Sequence, residues 1–274
     1  MTDKRIRPFL KWAGGKYQLL PHLLPHLPDG DCLLEPFVGA GAVFLNTNYR
    51  RYHLNDINAD LIHVYQTLKT CGQDFIDHAK SFFKPRYNNA TRYYACREKF
   101  NSLEANEEKA ALFIYLNRHG YNGLCRYNSK GIFNVPFGSY ANPQIPEDAM
   151  AIFYEKAQRT KFTCLSFSKI MKRVGKNTII YCDPPYVPLT KTAYFTRYSN
   201  HSFAAPEQNE LAECAQRLHQ QGNTIILSNH DTPVTRQLYR QAKLVSVNAP
   251  RYISCHANQR ASVRELIAIY SHQK

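Results

Sequence analysis

Residues 32–41 have the sequence CLLEPFVGAG, in which a short apolar stretch ends in a glycine-rich turn. The apolar stretch predicts a buried strand, because continuous apolar runs of this length are typical of strands covered on both faces. A helix is predicted from Ala42 to Asn46, a second strand from Tyr52 to Asp56 and a second helix from Ala59 to Lys69. This β-α-β-α succession predicts an α/β sheet that binds ligands at the carboxyl ends of its strands.

The pattern changes after the second helix. Residues 71–115 predict further helices, with core candidates at Tyr93, Tyr94, Phe100, Leu112, Phe113 and Leu116. Two turn signals, YNG at 121–123 and SKG at 129–131, bracket residues 124–127 and 132–135, which predicts a basic β-hairpin. Apolar strands then resume, with a polar helix predicted from Pro206 to Gln221; the strands are Thr178–Cys182, Thr224–Ser228, Leu244–Val247 and Glu265–Ile269. We therefore expect a helical module with a hairpin, inserted into one α/β domain.

Charge and composition narrow the class of protein. The 274 residues include 35 Lys and Arg against 21 Asp and Glu, a net charge of +14, and 44% are hydrophobic. Such a composition excludes a disordered chain, and the excess of cations predicts a polyanionic partner such as nucleic acid. No apolar run approaches the roughly 20 residues of a membrane span, and the eight cysteines form no C-x-x-C pair. We expect a cytoplasmic protein with reduced thiols, no membrane contact and no metal.

The glycine-rich turn is the first candidate site. Glycines after a strand let the backbone turn sharply and approach a ligand closely, as Gly39 and Gly41 could do here. Phe44 stands where a G-x-G-x-x-G loop has its third glycine, so the pattern does not favour binding of a pyrophosphate. Asp56, at the end of the second strand, lies where such folds hold ribose hydroxyls. A glycine-rich turn without a function is the alternative.

The second candidate site is Asp183-Pro184-Pro185-Tyr186, directly after an apolar strand. Two successive prolines fix the backbone twice and hold the carboxylate and the aromatic ring in place. The carbonyl of Pro184 can face a ligand as an acceptor. Two acceptors beside a flat ring predict a site for a planar amine, whose hydrogens the acceptors take while Tyr186 stacks on its plane.

Six segments in this order resemble one family. They are FLKWAGGK at 9–16, EPFVGAG at 35–41, NRHGYNGLCRYN at 117–128, FNVPFG at 133–138, DPPY at 183–186 and SNHD at 228–231. The sequence resembles, over nearly its whole length, the DNA adenine-N6 methyltransferases of the Dam family, which methylate adenine in GATC and belong to the alpha group. The resemblance implies a Rossmann-like S-adenosylmethionine-dependent methyltransferase domain at 1–58 and 145–274, and a DNA target-recognition domain at 59–144.

The resemblance also implies roles for residues at both candidate sites. S-adenosylmethionine would donate the methyl group directly to N6 of an adenine that is flipped out of double-stranded DNA. Asp183, Pro184 and Tyr186 would hold the amine and stack on the base. The cofactor would be bound by a larger set: Trp12, Lys16, Phe37, Gly39, Gly41, Asp56 and Asp183. The reaction needs neither a metal nor a covalent enzyme intermediate.

For the DNA, the resemblance assigns the base contacts to the predicted hairpin and to Lys11. Arg126 and Lys11 would bind guanine edges, Leu124 and Pro136 a thymine methyl, Tyr121 would wedge into the base stack, and Asn122 would approach the orphan thymine. Phosphate contacts are predicted for Arg92, Arg97, Arg118, Lys130 and Arg251, each of which could equally be a solvated charge. Ser139 departs from the arginine of close relatives, which bears on a flanking contact.

Other functions stay open on the sequence alone. The same motif serves cytosine-N4 methylation, in which Ser often replaces Asp183, and methylation of RNA or protein glutamine, which favours Asn there. A non-catalytic DNA-binding protein and a nucleotide-binding oxidoreductase are further alternatives. For the favoured function we expect a monomer, nucleoid-associated in the cytoplasm, serving DNA replication or mismatch repair.

Overall fold

The computed structural model describes residues 5–186, 203–249 and 263–271, and within them seven strands form one sheet. The strands are β1 Cys32–Glu35, β2 Arg51–Asn55, β3 Thr160–Thr163, β4 Ile179–Cys182, β5 Thr224–His230, β6 Lys243–Ala249 and β7 Val263–Tyr270. Their order is β3-β2-β1-β4-β5-β7-β6. Neighbouring strands from β3 to β5 run parallel, and β7 runs antiparallel to both β5 and β6. The predicted Rossmann-like α/β class is confirmed.

Helices cover both faces of this sheet. They are α1 Leu20–Leu23, α2 Ala42–Leu45, α3 Ala59–Lys80, α4 Ala90–Ser102, α5 Glu107–His119, α6 Glu147–Ala157, α7 Phe167–Met171, α8 Ala205–Gln220 and α9 Pro233–Leu238. Asn58, Asn89 and Asn106 begin three of them, each accepting a hydrogen bond from a backbone N–H of the first turn. The predicted helix at Ala59 continues to Lys80 through a kink at Gly72, whose φ is 54°.

Alternation along the strands divides the core into two layers. In β4, Ile179 and Tyr181 pack with α3 to α6 on one face, and Ile180 and Cys182 pack with α7 and α8 on the other. Successive side chains of a strand point to opposite faces, so a fully apolar strand must be covered twice. The first layer also contains Phe100 and Phe113, and therefore runs without a break from the sheet into the segment predicted as an insertion.

Strand order reverses between β1 and β4, and this reversal positions the site. From β1 the sheet grows through β2 to β3 on one side, and from β4 it grows through β5 on the other. The helices that follow neighbouring strands leave on opposite faces at such a point, which opens a crevice beyond the carboxyl ends. The two sequence motifs at 36–41 and 183–186 directly follow β1 and β4.

The predicted β-hairpin is an irregular antiparallel loop, which we call the 120–138 loop. It contains two isolated bridges, Tyr127 with Phe133 and Gly120 with Phe137, and no regular strand. Side chains take the backbone groups that a ladder would use: Asn101 bonds both the N–H and the C=O of Phe133. The carbonyl of Val135 likewise accepts from side chains rather than from a partner strand. Thus the chain reversal is confirmed and the two regular strands are not.

One further expectation is wrong, and one strand was missed. Tyr94, a predicted core residue, is 38% exposed, because Tyr93 beside it points inwards and adjacent helical residues lie about 100° apart. The other five core candidates are buried. Strand β3 was not predicted, since its sequence TKFT is short and carries an exposed lysine.

Candidate active site

Asp183 lies at the carboxyl end of β4, where two side chains hold one oxygen of its carboxylate. Lys16 Nζ is 2.7 Å from Oδ1, and the Ser228 hydroxyl donates to the same Oδ1 at 3.0 Å. The other oxygen, Oδ2, accepts no hydrogen bond within the described residues. Burial raises the pKa of Asp183 above its usual value, and the Lys16 ammonium opposes that rise. The result is an oriented carboxylate with one oxygen available.

Tyr186 is held by three neighbours. Its hydroxyl donates to Glu265 Oε2 at 3.0 Å, and its ring meets the His230 ring edge-on at 4.8 Å between centroids. The ammonium of Lys16 lies 4.4 Å from the centroid of the same ring. These contacts fix the direction of the ring before any ligand arrives, which lowers the entropy lost on stacking.

The two prolines present their carbonyls differently. The carbonyl of Pro185 accepts from Gln208 Nε2 at 2.8 Å, whereas that of Pro184 accepts no hydrogen bond within the described residues. A free carbonyl and the Asp183 Oδ2 are therefore the two acceptors that this loop offers to a ligand. An amine with two hydrogens matches such a pair of acceptors.

The glycine-rich turn after β1 lies between an indole and a carboxylate. Gly39 has φ 47° and Gly41 has φ 73°, values that glycine adopts without strain. The N–H of Gly39 donates to Asp56 Oδ2 at 3.0 Å, and a Cβ on Gly39 would lie 3.0 Å from Trp12 Nε1. Trp12 therefore packs directly on the turn, and a side chain at Gly39 would crowd the indole as well as strain the backbone.

Asp56 keeps acceptor capacity although both oxygens are bonded. Oδ2 accepts from Gly39 N, and Oδ1 accepts from Asn58 N at 3.0 Å. A carboxylate has about four acceptor sites, so these bonds leave capacity for a ligand hydroxyl. Burial raises the pKa of Asp56, and these backbone hydrogen bonds oppose the rise.

Glu35 places a second carboxyl group beside the turn. It is 2% exposed, and its Oε1 has no hydrogen-bond partner in the part of the chain that the structure describes. Burial raises its pKa to about 8, and the charge of Asp183 adds to the effect. Phe37 follows, with its ring against Phe167 at 5.4 Å and Phe203 at 5.6 Å. The open glycine backbone and the aromatic walls fit a nucleoside cofactor such as S-adenosylmethionine.

Lys11 lies one residue before Trp12 and is fastened to the 120–138 loop. Asn117 bonds both the N–H and the C=O of Lys11 at 2.8 Å, and its amide also donates to the carbonyl of Gly123. The Lys11 ammonium lies 4.2 Å from the centroid of the Tyr140 ring. Burial, aided by the charge of Arg118, lowers the pKa of Lys11. One short segment thus connects this loop to the glycine-rich turn.

The predicted base-contacting residues share the exposed rim of the 120–138 loop. Tyr121 is 52% exposed, and Asn122 and Pro136 are exposed with it, whereas Leu124 is half-buried. Asn122 has a left-handed backbone, with φ 52°. Arg126 is half-buried and is held by Asn134, whose side-chain and backbone oxygens accept from its guanidinium at 2.8 and 3.2 Å.

The candidate phosphate contacts fall into two kinds. Arg92 and Lys130 are exposed, while Arg97 donates to the carbonyl of Val135 and Arg118 to that of Gln144. Arg251 lies outside the described residues. Ser139, the departure from close relatives, is exposed and has φ 51°.

Sequence reasoning missed several residues that support the site. Ser228 was within a recognised segment but had no assigned role, and Glu265 and Gln208 were not singled out. A signal was available for two of them. Ser228 directly follows the apolar residues 225–227 of β5, and Gln208 interrupts the apolar face of α8.

The described residues contain no group of three or more His, Cys, Asp or Glu placed to hold a metal ion. In that same part of the chain, no helix is both long and apolar enough to cross a membrane.

Comparison with known proteins gives a consistent result. Residues 12–253 match the family model described as D12 class N6 adenine-specific DNA methyltransferase. The chain is 49% identical over 267 residues to proteins named DNA adenine methylase from Salmonella typhi and Escherichia coli K12, covering 97% of this chain and 96% of each relative. A Vibrio cholerae protein of the same name is 48% identical over 269 residues, which is 98% of this chain and 97% of that protein.

Similarity to solved structures is weaker. A precorrin-6y C5,15-methyltransferase from Geobacter metallireducens matches with 8% identity and a TM-score of 0.39, covering 99% of this chain and 96% of that chain. A TM-score this low adds nothing to the strand order as evidence of the fold.

Proposed function

The chain belongs to the D12 class of N6 adenine-specific DNA methyltransferases, and from this premise we propose that it methylates adenine in double-stranded GATC. The donor is S-adenosylmethionine, and the target adenine is flipped out of the duplex into the crevice beyond β1 and β4. N6 is paired inside the duplex, so an enzyme acting on it must extrude the base. Membership of an adenine-specific class also argues against the cytosine-N4 alternative.

One observation carries the proposal most directly: among the described residues, nothing donates a hydrogen bond to Asp183 Oδ2 or to the carbonyl of Pro184, and both acceptors lie beside a fixed tyrosine ring. The N6 lone pair of adenine is delocalised into the ring and is a weak nucleophile. When the two acceptors bind the two N6 hydrogens, the lone pair turns towards the methyl donor. Positioning and electrostatics of this kind supply most of the acceleration that such a transfer needs.

Tyr186 supports the base, and Asp183 accepts the proton that N6 loses. The ring of Tyr186 stacks on the flipped adenine and keeps its plane in line with the two acceptors. N6 gains a bond to carbon and loses one proton, and the raised pKa of Asp183 suits its carboxylate to accept that proton. Lys16 and Ser228 hold Oδ1 meanwhile, so the carboxylate does not rotate.

The glycine-rich turn binds the donor in this proposal. S-adenosylmethionine supplies an electrophilic methyl group on a sulfonium. Asp56 accepts hydrogen bonds from the ribose hydroxyls, Trp12 and Phe37 enclose the adenosine, and Gly39 and Gly41 let the backbone approach it. Lys16 and Asp183 lie at the boundary between the donor and the target base.

The 120–138 loop and Lys11 recognise the duplex. We assign guanine contacts to Arg126 and Lys11 and a thymine methyl contact to Leu124 and Pro136, which suits the donor and acceptor pattern of the major groove. Tyr121 fills the gap that the flipped adenine leaves, beside Asn122. Arg92 and Lys130 are exposed and available for phosphates. One protomer carries every residue named here, which fits a monomer acting on nucleoid DNA in the cytoplasm.

The test is restriction of plasmid DNA from a methylation-deficient host that expresses the chain. One nuclease cuts only GATC with methylated adenine, and a second is blocked by that methylation. Cutting by the first and resistance to the second establish the modified base and its sequence together. The Asp183→Ala variant is the control, because removing the acceptor should abolish methylation while the chain still binds DNA to within about tenfold. Unchanged cutting patterns with the wild-type chain would overturn the GATC assignment.

A further inference from the structure

Gln208 is a buried amide on the apolar face of α8. It is 3% exposed and shares that face with Leu211, Ala215 and Leu218, which are fully buried. A buried amide costs free energy unless its donor and its acceptor are both bonded. On the core-facing side of α8, the amide of Gln208 therefore requires partners for both its N–H groups and its oxygen.

Its hydrogen bonds connect the double-proline loop to two other elements. Nε2 donates to the carbonyl of Pro185 at 2.8 Å, and Oε1 accepts from Asn229 Nδ2 at 3.2 Å and from the Tyr239 hydroxyl at 3.4 Å. Asn229 in turn accepts from the N–H of His230 at 2.9 Å, and the ring of His230 packs on Tyr186. Gln208 thus joins α8, β5 and the end of α9 behind the loop.

Pro185 has no N–H, so its carbonyl is the one backbone polar group by which the rest of the protein can hold it. The direction of this carbonyl fixes the peptide plane that leads into Tyr186. It also restricts the orientation of the Pro184 carbonyl relative to that plane, because the Pro185 ring already fixes the φ angle between the two peptide planes. In the structure the Pro185 carbonyl is bonded to Gln208, and the Pro184 carbonyl accepts no hydrogen bond from the residues that the structure describes.

We propose that Gln208 is a positioning residue for methyl transfer: by binding the Pro185 carbonyl, it leaves the Pro184 carbonyl and the Tyr186 ring facing the target amine. This inference rests on the proposed function, since it assigns the support of the same amine site. Gln208 itself contacts neither the methyl donor nor the target base. Loss of its side chain should therefore slow the chemical step and leave cofactor affinity almost unchanged.

The substitution Gln208→Glu tests this through pH. Glutamate keeps an acceptor for Asn229 and Tyr239, but as a carboxylate it repels the Pro185 carbonyl. Once protonated, it donates to that carbonyl and restores the native bond. Burial raises the pKa of such a carboxyl group, so the restoration should fall within an accessible range. Tyr239 is the titratable hydrogen-bond partner here, and burial raises its pKa far above neutral.

The measurement is the single-turnover rate of methyl transfer from saturating S-adenosylmethionine to a saturating GATC duplex, between about pH 6 and about pH 9, a range that overlaps the interval of about pH 5 to 8 in which most domains are most stable. We expect the ratio of variant to wild-type rate to be about 0.1 or less at the high end and to rise at least about threefold towards the low end. Dividing by the wild-type rate removes the titration of Asp183 from the comparison. The control is Gln220→Glu, the same change at an exposed position of α8, whose ratio should stay flat.

The outcomes separate the two proposals. Wild-type protein without transfer to adenine would overturn the proposed function, and this inference with it. Active wild-type protein with a flat Gln208→Glu ratio near one would overturn the inference alone. If the glutamate variant does not fold, Gln208→Met decides instead: a rate at least about tenfold lower with unchanged cofactor Kd supports the role, and a rate within about twofold of wild type overturns it.

Discussion

Lys16 determines how much of Asp183 is ionised at a given pH. Burial raises the pKa of Asp183 and the Lys16 ammonium, 2.7 Å away, lowers it, so removal of the cation should let the pKa rise. In the proposed reaction the carboxylate must be ionised, and the transfer rate therefore increases with pH through this pKa. For Lys16→Met we expect the acidic limb of the single-turnover rate, measured at saturating cofactor, to move about one unit or more to higher pH. Lys99→Met, which removes a surface lysine remote from β4, is the control; an unmoved limb in Lys16→Met would contradict this electrostatic role.

Glu35 makes the stability of the folded state fall as the pH rises from about 4.5 to about 8. Its pKa is about 8 in the folded protein, against 4.5 for an exposed glutamate. Between these values the folded state holds a proton that the unfolded state has lost, so stability falls as pH rises, by at most about 1.4 kcal/mol per pH unit. Glu35→Gln removes the titration. In urea unfolding, Glu35→Gln should be more stable than wild type at pH values above the folded-state pKa of Glu35 and should differ little from wild type near the unfolded-state pKa. An equal difference at both pH values would contradict the raised pKa of Glu35.

Among the structural elements, the sequence predicts those that follow from a local pattern of apolar residues and glycines. Strand β4 was predicted because its apolar run must be covered on both faces, and the glycine-rich turn because strained backbone after a strand favours glycine. The irregular 120–138 loop was predicted as a hairpin, because its turn signals are local while Asn101, which replaces the ladder bonds of Phe133, lies 32 residues away in the chain. Gln208 and Ser228 stand out in the sequence as polar residues beside apolar ones, but their roles could not be predicted, because tertiary packing sets their hydrogen-bond partners.

The contact between Lys11 and the 120–138 loop gives a prediction at this scale. Gly123 has φ 60°, and a Cβ there would lie 2.3 Å from the Cβ of Lys11, which is too close for any flexible end to relieve. Gly123→Ala should therefore separate the loop from Lys11 and weaken binding to a GATC duplex by about tenfold or more, with cofactor Kd unchanged. Fluorescence anisotropy at fixed salt measures the first and calorimetry the second.

Gly175→Ala is the matched control for that change. A Cβ at Gly175 meets no atom within 4 Å, and the residue lies before β4, at the opposite end of the sheet from the site. Its DNA affinity should equal that of wild type. If both alanine variants bind DNA equally well, the packing of Gly123 on Lys11 does not shape the DNA-binding surface.

Over the whole molecule, the net charge of +14 raises the question of whether DNA is attracted by the entire surface or bound by one face. Lys130 and Lys176 are both exposed, but they lie differently: Lys130 is at the tip of the 120–138 loop, and Lys176 precedes β4 at the amino end of the sheet. Each phosphate contact releases counterions, so its loss lowers the slope of log K against log salt by about one. We expect that reduction for Lys130→Gln and none for Lys176→Gln, measured as GATC-duplex affinity across a salt series. An equal reduction in both would mean that the charge acts as a diffuse field, because only a defined binding face can distinguish two exposed lysines of equal charge.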